Sequence, residues 1–258
     1  MIRNLLIISG VGLVLAAAGI GGSLAVGGAD LARHSWVWVI KDDDNGGLNI
    51  RRTQDEIVAE DITRQIAWDD TERLSISLPG SVLYVQDATA PAITITGPKT
   101  LVDRVSFVNG QLLLNSTDES GTAYVGFGKN GIRGWSDSVK VTINAASAKA
   151  FELSGNSELE VRGYDQPTLD LVLTGSSEVD IRGRANAITV DASGNSSAEL
   201  DELIGADAVI RASGNADVKT AANGSVNIEA SGNSSVRLTR NVSSLRQSLT
   251  GEAEVRQD

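Results

Sequence analysis

Six carboxylates stand in pairs, two residues apart, on three successive repeats of this chain: Glu158 and Glu160, Glu178 and Asp180, Glu199 and Asp201. Alternate residues of a strand share one face, so stacked repeats would gather them into an acidic patch. Carboxylates collected on a β-helix face can ligate calcium or share acid/base work on a glycosidic bond. Arg162 and Arg182 end the first two of these strands. We therefore read the patch as a solvated, partly charge-paired face, with calcium and catalysis as alternatives. The single histidine, His34, lies near the N-terminus, so a Ser-His-Asp triad or a histidine-rich metal site is not expected in the folded part. Cysteine is absent, which removes disulfides, thiolate metal sites and a cysteine nucleophile. Gly126–Gly131 matches G-x-G-x-x-G behind the strand-like Tyr124 and Val125, but Gly134 and the β alternation from Val139 leave no helix to receive a pyrophosphate. Asp42, Asp43 and Asp44 resemble the start of an EF-hand loop without its twelfth-position Glu. No catalytic, cofactor-binding or metal-ligating residue is assigned, and the chain reads as non-enzymatic.

The elements that would position the patch recur at a fixed period. The segments LSGNSELEV, LTGSSEVDI, ASGNSSAEL, ASGNADVKT, ASGNSSVRL and LTGEAEVRQ share Gly155, Gly175, Gly194, Gly214, Gly232 and Gly251, spaced 20, 19, 20, 18 and 19 residues apart. A period of this length is one turn of a solenoid. Four places after the glycine, Leu159, Val179, Ala198, Val218, Val236 and Val255 form an inward column. Val161, Ile181, Leu200, Thr220, Leu238 and Gln257 form a second one two places on. Between them, Glu160, Asp180, Glu199, Lys219, Arg237 and Arg256 point outward and pass from acidic to basic, a pattern that would favour self-association. A second strand precedes each glycine, with Leu171, Val190, Ile210 and Ile228 facing inward. The glycine suits a corner that needs φ > 0. The residue after it, Asn156, Asn195, Asn215 and Asn233 in four coils, can form an amide ladder along the axis, with sugar binding as the alternative use. The fold expected is an all-β parallel β-helix, right-handed at about 19 residues per coil.

Around this core the chain divides. Leu5–Val26 is apolar behind Arg3 and reads as an N-terminal export helix, either a cleaved signal peptide or a membrane anchor within residues 1–30. Residues 31–61 read as a juxtamembrane linker and 62–258 as the β-helix domain. Within that domain, 62–115 are irregular strands, 116–134 a glycine-rich loop and 139–258 regular coils. A formal net charge of -11 with no basic stripe argues against nucleic acid as a partner.

With its SGN and TGS corners, alternating strands and leader, the chain resembles the exported bacterial auto-transporter adhesins with a head GIN domain, over roughly residues 60–256. The resemblance implies a β-helical head in the bacterial cell envelope that adheres to a glycan or protein partner. The membrane would be contacted only through the N-terminal helix. The sequence as it stands reaches Asp258 straight after the last coil without the alternating strands of a translocator barrel, so self-export through an outer membrane is not expected of it. A carbohydrate-active β-helix lyase or hydrolase, and a purely structural or stress-related envelope component, are the alternatives.

Overall fold

The computed structural model describes residues 36–42, 48–53, 61–87, 89–115, 122–128, 131–136 and 139–258. The leader and His34 lie outside the described residues, as do Asp43 and Asp44. Among the described residues, no helix is long and apolar enough to cross a membrane. The chain forms two compact units, residues 1–59 with 118–137 and residues 60–117 with 138–258.

The first unit holds a four-stranded antiparallel sheet. Trp36–Asp42 pairs on one side with Leu48–Thr53 and on the other with Thr122–Gly128, which in turn pairs with Gly131–Ser136. Two expectations are corrected here. Part of the expected linker is a pair of antiparallel strands, and most of the expected glycine-rich loop is a hairpin. Thr122–Gly128 reads THR-ALA-TYR-VAL-GLY-PHE-GLY in order, and its Tyr, Val and Phe supply strand propensity that the flanking glycines mask in the sequence. The glycine motif therefore opens into a strand, Gly131–Ser136, where a dinucleotide fingerprint needs a helix.

The second unit is a β-solenoid. Every coil turns at its shared glycine, and the strands on either side of that corner build two long sheets. In the post-corner sheet, Leu159, Val179, Ala198, Val218, Val236 and Val255 are in register from coil to coil through parallel pairing. All are buried except Val255, which is partly buried in the last coil. In the pre-corner sheet, Leu171, Val190, Ile210 and Ile228 stack in the same way and are buried. Two of the strands, Ser157–Leu173 and Glu178–Gly194, run through both sheets, with a register shift between Val161 and Tyr164.

The corners have two reasons to be glycine. Gly194 and Gly214 have φ of 85° and 78°. A Cβ there would also stand 2.6 and 2.8 Å from the carbonyl oxygen of the glycine one coil below. The close approach is itself bonded, since Asn195 N–H donates to Gly175 O and Asn215 N–H to Gly194 O, both at 2.7 Å. The asparagine ladder forms outside this spine: Asn215 Nδ2 donates to Asn195 Oδ1 at 2.7 Å and Asn233 Nδ2 to Asn215 Oδ1 at 3.3 Å. The ladder thus joins Asn195, Asn215 and Asn233, and Ser176, in the coil between Asn156 and Asn195, interrupts the expected row of four.

The region before the repeats belongs to the same stack. Arg73–Ser77 pairs in parallel with Ala150–Leu153, and Gly80–Gln86 with residues 157–162. Val139–Ala145 then inserts between Gly80–Gln86 and Ala92–Pro98, parallel to the first and antiparallel to the second. Asp61–Ala67 closes that sheet antiparallel to Ala92–Pro98. The other sheet ends in the antiparallel pair Val105–Val108 and Gln111–Leu114. A one-turn helix, Lys99–Val102, joins the two ends. Arg64 fastens this end by donating to Val102 O and Val105 O, each at 3.0 Å.

Candidate binding surface

The charged face singled out from the sequence is in place, with Glu158 stacked on Glu178 beside the row, and three of its six carboxylates, Glu160, Asp180 and Asp201, are held in ion pairs. Glu160, Asp180, Glu199, Lys219, Arg237 and Arg256 form one in-register row on the post-corner sheet. Arg162 Nε lies 2.6 Å from Glu160 Oε1, Arg182 Nη2 lies 2.8 Å from Asp180 Oδ2, and Lys219 Nζ lies 2.8 Å from Asp201 Oδ2. The hydrogen bond from Arg162 holds the Glu160 carboxyl below its ordinary range, and the bond to Asp201 raises the Lys219 ammonium above its own. Shifts in these directions keep both groups charged, whereas a general acid needs its carboxyl pushed the other way. Among the described residues no group of three or more His, Asp or Glu side chains converges as a metal site would require.

A different surface carries a cavity. On the outer side of the pre-corner sheet, a trough of ≈ 490 Å³ runs across the coils. Two in-register rows shape it. The first lies three places before the glycine and contains Val172, Asp191, Arg211, Glu229 and Ser248. The second lies one place before the glycine and contributes Thr174, Ser193, Ser213, Ser231 and Thr250. Parallel stacking repeats each row at about 4.8 Å, so the trough offers a hydroxyl on every coil.

At its centre Arg211 bridges two neighbours, with Nη1 3.3 Å from Asp191 Oδ1 and Nε 3.5 Å from Glu229 Oε2. These three side chains are about half exposed, so the pairs are loose and the guanidinium keeps donors free. Thr174 and Ser193 donate to Leu153 O and Leu173 O of the coil below, leaving their oxygens to accept. Sequence reading missed this row because it followed the acidic column after the corner. The same glycine alignment, read three places upstream, shows Asp191, Arg211 and Glu229 alternating in sign.

Comparison with known proteins agrees with this architecture. The family described as "Putative auto-transporter adhesin, head GIN domain" matches residues 72–241. The chain belongs to that family. One solved structure shares the fold, and others show weaker similarity. The former is a putative adhesin from Bacteroides fragilis NCTC 9343, at 15% identity and TM-score 0.58, covering 77% of this chain and 97% of its own. A putative adhesin from Parabacteroides merdae ATCC 43184 is 13% identical, with TM-score 0.46, over 78% of this chain and 97% of its own. A putative lipid binding protein from Parabacteroides distasonis ATCC 8503 is 14% identical, with TM-score 0.40, over 78% and 98%. No curated protein matches the chain.

Proposed function

We propose that this chain is a non-enzymatic adhesion protein of the bacterial cell envelope, and that the trough on its pre-corner sheet binds a glycan. The observation that carries this reading is the trough itself, where hydroxyls repeat coil by coil around the Asp191, Arg211 and Glu229 row. A linear glycan presents hydroxyls at regular intervals, and a lattice of hydroxyl, carboxylate and guanidinium groups can bond them without a deep pocket. Family membership favours adhesion over catalysis. The ion pairs that hold Glu160, Asp180 and Asp201 support the same choice.

The test is binding of the full chain to immobilised polysaccharides of varied charge. Arg211→Ala should lower affinity for the polysaccharide selected by at least about tenfold, the cost of roughly one charge-assisted hydrogen bond. Glu160→Gln, on the other sheet, should leave it unchanged. Equal losses from both variants, or no saturable binding to any polysaccharide, would contradict the proposal.

A further inference from the structure

Among the described residues, the two ends of the solenoid differ: the first is finished by antiparallel strands, and the last coil has an uncovered parallel strand. The last pre-corner strand, Ser244–Gly251, pairs in parallel with Ser225–Gly232 on one side, and all eight of its residues are exposed. Leu245 and Leu249 continue the columns of Val226 and Ala230, which are buried, yet remain 39% and 38% exposed. The strand has no Pro and no Lys, its one charge, Arg246, stands on the outer face, and its inward positions carry no charge.

The backbone at this edge has a definite parity. In a parallel pair, a residue's N–H and C=O point to the same side, and successive residues alternate. Ser244 N–H donates back to Gly224 O at 3.3 Å and Glu252 N–H to Gly232 O at 2.8 Å. Even-numbered residues therefore bond the preceding coil, and Leu245, Gln247 and Leu249 direct their N–H and C=O groups outward from the open end.

We propose that this end associates with the same end of a second copy of the chain, the two Ser244–Gly251 strands pairing antiparallel about a two-fold axis at Gln247. Parity and side-chain chemistry select that register. With the axis at Gln247, the pairs Leu245 with Leu249, Gln247 with Gln247 and Leu249 with Leu245 each exchange both hydrogen bonds. Leucine meets leucine on the inner side, and between them the two Gln247 amides, which continue the column of buried Ile228, face each other and can hydrogen-bond across the axis. On the outer side Arg246 faces Ser248. An axis at Arg246 would set two arginines directly opposite each other, which is unfavourable. An axis at Ser248 would leave Leu245 facing Gly251. A contact of like with like about a two-fold axis closes at two copies.

Sedimentation of the full chain in mild detergent tests this. At roughly 10 to 100 µM, where a moderately tight contact is filled, the native chain should sediment as twice 27.0 kDa. Gln247→Pro removes an edge-facing donor that no bond inside the chain uses, and should yield a monomer whose melting curve matches that of the native chain diluted to its monomeric state. Gln247→Cys gives an independent readout in this cysteine-free chain. Mild oxidation should link two copies, because paired residues across the axis stand about 5.5 Å apart at Cα, within disulfide reach. Ser193→Cys, in the trough, should not cross-link. A native chain that stays monomeric throughout the range, or a dimer that survives Gln247→Pro, would overturn the proposal.

Discussion

The two ends of the solenoid solve the same problem differently. At the N-terminal end the parallel stack is finished by antiparallel strands, a helical turn and a connected series of rings. Trp68 stacks on Phe107 at 5.2 Å and meets Tyr84 edge-on at 6.4 Å; Tyr84 meets Phe151 at 5.3 Å, and Phe151 meets Tyr164 at 6.1 Å. Every aromatic residue of residues 60–117 and 138–258 belongs to that series. The polar tips are satisfied as well. Trp68 Nε1 donates to Ser147 Oγ at 2.8 Å, and Tyr164 Oη donates to Thr168 O at 2.6 Å. Farther up the stack, layers of Val, Ile, Leu and Ala suffice because each coil covers the one below. At the last coil nothing in the described chain covers Leu245 and Leu249. A repeating core therefore needs large side chains only where repetition stops, and this chain supplies them at one end alone.

Truncation at the two ends should separate them most sharply. Phe151→Ala removes a fully buried ring from the cap and should destabilise the second unit by about 3–5 kcal/mol. Leu249→Ala, at a side chain 38% exposed, should cost well under that in a dilute monomer. Urea melts of the two variants against the native chain measure both. Similar costs would remove the asymmetry.

Corner substitutions probe the stack between the ends. Gly155 and Gly194 have φ of 77° and 85°, but an added Cβ at Gly155 meets nothing within 4 Å, whereas at Gly194 it meets Gly175 O at 2.6 Å. Gly155→Ala should cost about 1–3 kcal/mol from backbone strain alone. Gly194→Ala should cost measurably more in the same melts, because two coils must also separate.

The capped end should also respond to alkali. Burial pushes the Tyr84 hydroxyl up to about 12 and raises Tyr164 in the same direction. The unfolded chain ionises these phenols near pH 10, while the folded chain keeps them neutral. Stability from this source is thus complete below about pH 10 and falls as pH rises toward 12, by roughly 2 kcal/mol for Tyr84. Tyr84→Phe should flatten that slope in a pH series of melts. An unchanged slope would show that the ring tip is not buried as described.

Much of the regular part of this fold was legible because stacked coils repeat their requirements: the glycine marks the corner, and the alternation around it marks inside and outside. Leu159 through Val236 could be assigned for that reason. The insertion of Val139–Ala145 between Gly80–Gln86 and Ala92–Pro98 was not legible, since nothing local in an alternating strand names its neighbours. The hairpin at 122–136 was hidden by its glycines. As for the site, the acidic face drew attention by composition, whereas the trough depends on a cavity that only the stacked coils create. The exposure of Leu245 was equally unreadable, because a column that is buried in four coils gives no sign of where the covering coil is missing.

Residue-resolved hydrogen exchange of the full chain, compared between dilute and concentrated solution, tests the asymmetry most directly. The amides of Leu245, Gln247 and Leu249 should exchange rapidly when dilute and become protected when concentrated, while Asp61–Ala67 at the capped end exchanges alike in both. Concentration-independent exchange at those three amides, or protection gained at Asp61–Ala67 instead, would contradict the assignment of the open coil as the associating end.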